Sequence, residues 1–416
     1  MGTDGVPMVH TFNDSATDFV LPVLGLYPEH RNAVVVDFFA DAGDTTQDTL
    51  VVGTGPIKTP DIELIRNALP ADDTGLFLFS SQKAAFDQQG AIRWAYEGEA
   101  GQFFTQLPNG NLLGTVNDAP VLYHFPRFAE FTLLGEKVRE YTIPNYGHHE
   151  LVELPWGNFL AASNSALINA VEDGLSEEDL LVEIDADTGL VVRTWDFNQI
   201  LDPTRPPIPS NSRPDDWLHL NSATYDASDD SIIITSQRQS LVAKIDYKTQ
   251  ALIWILGAHE QWPVKFQDKL LTPVDGNGDP IDPNTEDFWP YGPHAVLTFG
   301  DGRISLFDNG FFRNWYKDPT VPGDSYSRAI EYQIDETNME VRIVWQYDAD
   351  QSLYTAITGD LDYLDNGNYL VGFAGPSEDT PRVIEVTSAG DVQFEAVSNR
   401  TTTEYRVEKI DLYRSD

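Results

Sequence analysis

Residues 299–307 read FGDGRISLF: an apolar strand end, a Gly-Asp-Gly turn, and a second strand of alternating character. The turn predicts a hairpin, because Asp-Gly supplies residues that tolerate the positive φ a tight reversal demands. The phrase recurs as LPNGNLL at 107–113, LPWGNFL at 154–160, ASDDSIII at 227–234 and LDNGNYLV at 364–371. A companion phrase, a turn followed by a strand that closes on an aromatic, ends at Trp94, Tyr141, Trp195, Trp254, Trp345 and Phe394. Six endings make six units. Repeats of about 40 to 50 residues built of four short strands are the mark of a β-propeller, in which each blade covers its neighbour's face and ring closure hides the edges. The expected fold is therefore all-β, a six-bladed β-propeller over residues 58–416.

Outside this pattern, helical periodicity is limited to TPDIELIRNAL at 59–69. Trp254 and Trp345 lie 91 residues apart, which leaves an insertion at about 258–289. Its proline and aromatic content predicts either a loop ordered over the ring or a plain inter-blade connection, and not a seventh blade. Asp275, Asn277, Asp279 and Glu286 within it have offsets like those of a calcium loop, but Pro280 replaces the glycine such a loop needs, so a hairpin turn is expected. Residues 1–57 precede the repeats and contain NAVVVDFFADAGDTTQDTLVVGT at 32–54, two alternating strands around a turn. This segment is expected to form a small N-terminal β-sandwich-like domain.

The chain of 416 residues is 41% hydrophobic and 12% aromatic, enough to fill a large core. Its 26 basic and 66 acidic residues give a formal charge of −40, which repels phosphate backbones and anionic lipid, so nucleic acid is excluded as a partner. The acids are scattered, a pattern suited to solubility in salt water rather than to cation binding. No stretch approaches the roughly 18 apolar residues of a membrane helix, and membrane insertion is not expected. MGTDGVPMVHTFNDSATDF carries no signal-peptide core, so the chain is either cytosolic or exported by a signal lying outside it. The absence of cysteine rules out disulfides, thiolate catalysis and zinc–cysteine sites.

The histidines carry the functional signal. His149 precedes Gly157 by 8 residues and His294 precedes Gly302 by 8, so two imidazoles from different units share one address at the start of an innermost strand. His219 holds a similar place ahead of a longer turn, and Thr358 holds it in the fifth repeat. Four adjacent units then aim side chains at one channel mouth. His148 and His149 cannot both face inward, since strand neighbours alternate sides. Three imidazoles suit a His₃ metal site or, alternatively, a nucleophilic histidine whose neighbours stabilise a transferred anion. Arg238 in SQRQS brings a permanent cation to the region and favours the anion. Asn221, two residues after His219, adds a neutral donor, and Trp217, Trp289, Tyr291 and Phe312 are available to hold aromatic rings. No cofactor and no metal is called for.

Taken together, HHELVELPWGN, the segment from Asp215 to Trp262, LTPVDGNGDPI, GPHAVLTFGDGRISLFDNGFFR and YSRAIEYQID resemble the arylsulfate sulfotransferase family, bacterial enzymes that move a sulfuryl group between phenols without a nucleotide donor. The similarity spans most of residues 60–400. It implies a ping-pong enzyme acting on small aryl sulfates and phenols, in the periplasm or secreted, and a homodimer. His294 would be the nucleophile that becomes sulfurylated. His219, Asn221, His148 or His149, and Arg238 would grip the sulfuryl oxygens, Thr358 would line the pocket, and His219 would deprotonate the acceptor. Where the family commonly reads Ser-Arg, this chain has Ser236-Gln237-Arg238, which moves the arginine by one residue and brings Gln237 into the candidate set. A propeller polysaccharide lyase and a non-catalytic ligand-binding propeller are the alternatives.

Overall fold

The computed structural model describes every residue except 1–4, 14, 41–42, 59–60, 117–123, 165–178, 209–215, 286, 314–325, 374–379, 401–402 and 415–416. The repeated turn phrase forms the expected hairpins, and side-chain chemistry explains why it repeats. In five units the third strand presents a charged residue that binds the turn between the first two. Glu130 accepts from Asn109 (2.8 Å) and Asn111 (2.5 Å), Glu183 from Trp156 (2.9 Å) and Asn158 (2.7 Å), and Glu385 from Asn366 (2.9 Å) and Asn368 (2.7 Å). Glu331 pairs in the same place with Arg303 at 3.2 Å. In the Leu220–Gly257 unit the charges are exchanged: the turn supplies Asp229 and the strand supplies Lys244, 2.5 Å away. Gly302 shows why the turn needs glycine, having φ +81 and no room for a Cβ, which would lie 2.7 Å from the Ile334 carbonyl.

The molecule is all-β with a propeller-like arrangement of antiparallel sheets. Leu220–Asp226, Ser231–Ser236, Leu241–Asp246 and Leu252–Gly257 form one four-stranded sheet. His294–Thr298, Arg303–Asp308, Arg328–Asp335 and Glu340–Tyr347 form another, with a short fifth strand, Thr272–Pro273, at its outer edge. Asp360–Tyr363, Tyr369–Phe373, Arg382–Val386 and Val392–Ser398 are joined by Ile62–Asn67, and the C-terminal strand Val407–Ile410 pairs with Leu76–Phe79. Residues from opposite ends of the chain thus complete two sheets. The six separate four-stranded sheets expected from the repeats are not what the hydrogen bonds draw. Four sheets have four or five strands, and a fifth runs continuously through seven, because Lys137–Glu153 bonds to Phe125–Phe131 along its first part and to Phe159–Ser163 along its last.

Three further expectations have different outcomes. Ile62–Asn67, read as helical, is a strand, because pairing with Val392–Ser398 outweighs its weak local propensity. The N-terminal sandwich is not shown: among the described residues Arg31–Phe39 and Thr45–Gly53 make a two-stranded hairpin, exposed on most of its surface. The insertion does not cover the ring. It runs along the outside, bridging Ile255 to Leu270 and pairing Thr272–Pro273 with Glu340–Val341, so that it clips two neighbouring sheets together. Within it Asp275 Oδ1 accepts from the amides of Asn277 (2.8 Å) and Asp279 (2.9 Å), the expected hairpin turn; Glu286 lies outside the described residues.

The aromatic repeat ends lie on strands away from the inner edges of the sheets, Tyr141 on the first part of Lys137–Glu153, and fill the space between sheets. Trp94, Tyr141, Trp195, Trp254 and Phe394 are buried, and Trp345 stacks on Tyr369 at 3.8 Å. At the centre, the strands Ala100–Gln106, Lys137–Glu153, Leu220–Asp226, His294–Thr298, Asp360–Tyr363 and Val407–Ile410 neighbour one another in a closed circuit. No continuous ladder joins them, so side chains of one strand satisfy amides of the next. Glu150 accepts from the Ala223 amide (3.2 Å), Ser222 from Val296 (3.1 Å), Asp360 from Val407 (3.1 Å) and Glu408 from Gln106 (2.8 Å). They enclose a cavity of about 560 Å³ to which each contributes, with Thr105, Glu150, Ala223, Ala295, Asp360 and Arg406 on its wall.

Candidate active site

Each innermost strand bearing a candidate residue starts with an irregularity. His149 (φ +44), His219 (φ +53), Ala295 (φ +52) and Thr358 (φ +63) are all left-handed, and the first three adjoin or lie within register shifts. Such backbone is costly for residues other than glycine and concentrates at functional sites. The bulges also change the alignment read from spacing. His148 and His294 are the ladder-equivalent pair, each followed by a left-handed residue, and His149 corresponds to Ala295. Counting back from the glycine locates the strand start but misses the register, because a bulge absorbs a residue.

His294 is buried, and its surroundings define its tautomer. Its Nδ1 lies 2.7 Å from Asn309 Oδ1 and 3.2 Å from the Gly292 carbonyl. The Asn309 amide is oriented by its Nδ2, which donates to the carbonyls of Thr355 (2.8 Å) and Thr358 (2.6 Å). Asn221 Nδ2 also lies 3.3 Å from Nδ1, but it donates to the nearer Pro293 carbonyl at 3.0 Å, and two acceptors, the closer at 2.7 Å, meet Nδ1; Nδ1 therefore carries the proton and the lone pair lies on Nε2. Burial pushes the ring's pKa down to about 3, against the hydrogen bond to Asn309 and reinforced by His219, so His294 is neutral at ordinary pH. Asp308 ties together the loops on either side: Oδ1 accepts from the amides of Tyr291 (2.7 Å) and Gly310 (3.0 Å), and Oδ2 receives Arg313 (3.2 Å) and Arg328 (2.9 Å). Gly310, at φ +71, has the Tyr326 carbonyl only 2.1 Å from where a Cβ would sit, so the turn that aims Asn309 admits only glycine.

His149, not His148, faces the other imidazoles. The His148 ring is fully buried, with Nε2 3.1 Å from the Ser163 carbonyl and Nδ1 3.0 Å from His149 Nδ1. Its Nε2–H donates to Ser163, leaving Nδ1 to accept from His149 Nδ1–H and directing the lone pair of His149 to its Nε2. The His149 ring meets His219 with centroids 4.6 Å apart, and the hydroxyl of Tyr405 donates to the His149 carbonyl. His219 Nδ1 lies 2.5 Å from Asp216 Oδ2, and its carbonyl accepts from the Gln237 amide at 3.0 Å.

Several predicted residues have different surroundings from those expected. Arg238 lies beyond its strand, Ser231–Ser236, in the turn that follows, so strand alternation does not govern its direction. It is buried and its Nε donates to the Asp216 carbonyl (2.9 Å), which places it behind the His219 loop. Asn221 stands beside His294, yet its Nδ2 donates to the Pro293 carbonyl at 3.0 Å and so holds the loop ahead of that histidine. Thr358 contributes its carbonyl, which orients Asn309. Trp289 and Tyr291 are core residues: the Trp289 indole donates to the Pro283 carbonyl (2.6 Å), and both pack with Trp254 and Tyr332. Trp217 is likewise buried in a core cluster, whereas Phe312 is 37% exposed. Asn309 and Asp216 escaped sequence reading. Asn309 falls in DNG and reads as a turn residue, and Asp216 is one of many acids; its position three residues before His219 was the available signal.

Comparison with known proteins follows the same line. The family model for Arylsulfotransferase (ASST) matches residues 63–410. An arylsulfate sulfotransferase AssT of Lelliottia amnigena is 26% identical over 90% of this chain and 79% of its own length. The protein of that name from Escherichia coli O6:H1 is 31% identical over 59% of this chain, which spans 48% of that relative. Among solved structures, a catalytically inactive virginiamycin B lyase from Staphylococcus aureus has a TM-score of 0.41 and 10% identity over 89% of this chain and 91% of its own, too distant a likeness to bear on function. With well over half of its length matched by the family model, the chain belongs to the arylsulfotransferase (ASST) family and is a sulfotransferase enzyme.

Proposed function

We propose that this protein moves a sulfuryl group from an aryl sulfate to a phenol in two steps through a sulfohistidine at His294. The observation that carries the reading is the tautomer: with Nδ1–H committed to Asn309 and Gly292, and the ring kept neutral by burial, the lone pair of Nε2 is available to sulfur. In the first step Nε2 forms the N–S bond while the S–O bond to the aryl group breaks and its electron pair leaves on the phenolate. In the second, the acceptor oxygen forms a new S–O bond, the N–S pair returns to Nε2, and a neighbouring imidazole, His219, takes the acceptor proton. Sulfuryl transfer, like phosphoryl transfer, spreads charge over equatorial oxygens, so positioning and donors supply most of the catalysis.

The wider reading belongs here as well. Six blades are proposed, the seven-stranded sheet being two blades fused through Lys137–Glu153; the closed circuit of six inner strands supports this. Residues 58–416 would form the propeller domain and 1–57 a separate N-terminal segment. A periplasmic or secreted location and a homodimer rest on the family resemblance and are tested by cell fractionation and native mass. Incubation with 4-nitrophenyl sulfate should add the mass of one sulfuryl group to the intact protein and release one equivalent of 4-nitrophenolate. His294→Ala should lose both, together with transfer to phenol, while remaining folded; turnover retained by this variant would refute the assignment.

A further inference from the structure

The two imidazoles nearest the reaction have partners of different kinds. Those of His294 Nδ1 are neutral, a side-chain amide and a backbone carbonyl. That of His219 Nδ1 is the carboxylate of Asp216, at 2.5 Å, with 2% of its side chain exposed. A carboxylate holding Nδ1–H fixes the ring's tautomer and stabilises the imidazolium formed when Nε2 takes a proton, which a neutral amide does to a much smaller degree. Separate roles for paired titratable groups follow from such unequal surroundings. The backbone has been shaped to hold this contact. His219 is left-handed, its carbonyl is held by the Gln237 amide, the Arg238 amide donates to the Leu218 carbonyl (3.2 Å), and Arg238 Nε anchors the Asp216 carbonyl from behind. The ring of His149 lies against His219, and His294 is near enough for the charge on His219 to disfavour its protonation.

We propose that Asp216 is a positioning residue that makes His219 the base which removes the acceptor's proton, an inference resting on the sulfohistidine reading above. As sulfur passes from His294 Nε2 to the phenol oxygen, the O–H proton moves to His219 Nε2 and the charge is balanced by Asp216. The donor half-reaction with 4-nitrophenyl sulfate has no such requirement, because 4-nitrophenolate leaves without being protonated.

The two halves separate in one experiment. Wild-type protein mixed with 4-nitrophenyl sulfate should give a burst of one equivalent of 4-nitrophenolate. Asp216→Asn should give a burst of the same amplitude, while steady transfer to phenol falls by roughly 10²- to 10⁴-fold, the usual worth of a general base. Transfer to an acidic phenol already ionised at the assay pH should stay within about 10-fold of wild type, since that acceptor has no proton to lose. Asp216→Glu should restore part of the loss with phenol. If Asp216→Asn does not fold, Asp216→Ser takes its place, with the same split between acceptors expected. An equal fall for neutral and ionised acceptors, or no fall with phenol, would overturn the role of Asp216. No burst and no added mass in the wild type would instead remove the sulfohistidine reading, and this inference with it.

Discussion

A single side chain, Asn309, determines which nitrogen of His294 is nucleophilic. Its carboxamide is clamped by two carbonyls and presents only its oxygen to Nδ1. Asn309→Leu should cost roughly 10²- to 10⁴-fold in turnover by freeing the ring to take the wrong tautomer, with the far-ultraviolet spectrum unchanged. Asn309→Asp tests the sign of the electrostatics. A carboxylate beside Nδ1 favours the imidazolium, so the pKa of His294 should rise from about 3. The rate of the 4-nitrophenolate burst should then fall off on the acid side at a higher pH than in the wild type. An unchanged profile would show that Asn309 does not set the protonation of His294. The residue was hidden in the sequence because Asn-Gly is the commonest of turn signals. His219 and His294 were visible there because their positions repeat, but their unlike partners were not, since Asn309 and Asp216 matter only for where their polar atoms end.

At the scale of the element, the repeated phrase is a turn plus the charged residue that holds it. Glu385 has no exposed surface and receives Asn366, Asn368 and Lys409, the last at 2.9 Å. Glu385→Ala would leave two amides without this acceptor and Lys409 with only its pair to Asp73 at 2.7 Å, and should destabilise the protein by about 1–3 kcal/mol, read from chemical denaturation. The six-unit pattern was legible because hairpin chemistry is local: glycine and asparagine tolerate the turn, and alternation places one face of each strand inward. Register was not legible. The left-handed residues at the starts of the inner strands, His149, His219 and Ala295, are not glycines and so do not announce the bulges, which move the equivalence from His149 to His148. The short strand Ile62–Asn67 was misread for a related reason, its partner being more than 300 residues away.

Across the whole molecule, inner strands without a ladder between them are joined by side chains, many of them acids, and the buried acids make stability depend on pH. Glu404 precedes the closing strand Val407–Ile410; its Oε1 accepts from Ser80 (3.1 Å), Ser81 and Tyr405 (3.2 Å), and its Oε2 is buried without a partner among the described residues. Burial raises its pKa to about 7, and burial likewise raises Glu408 to about 7 and Asp360 to about 6. A carboxyl whose folded value exceeds its unfolded value of about 4.3 holds its proton more tightly in the folded state. Its stabilising effect is complete below about pH 4 and is lost as pH rises through about 7. Glu404→Gln keeps the oxygen that binds Ser80 and Ser81 and removes the ionisation, so its Tm should exceed that of the wild type near pH 8 and match it near pH 4; equal values at both would count against a buried ionisable Glu404. The sequence by itself determined the strand-and-turn repeat, the acidic surface, the absence of thiol chemistry and the histidines worth watching, because each depends on residue type and local spacing. Only the tertiary structure decided which strands share a sheet, which of two adjacent imidazoles faces the others, and that a buried amide and a buried carboxylate give two histidines different work. Those outcomes depend on the directions of side chains brought together from distant parts of the chain, and no local pattern encodes direction.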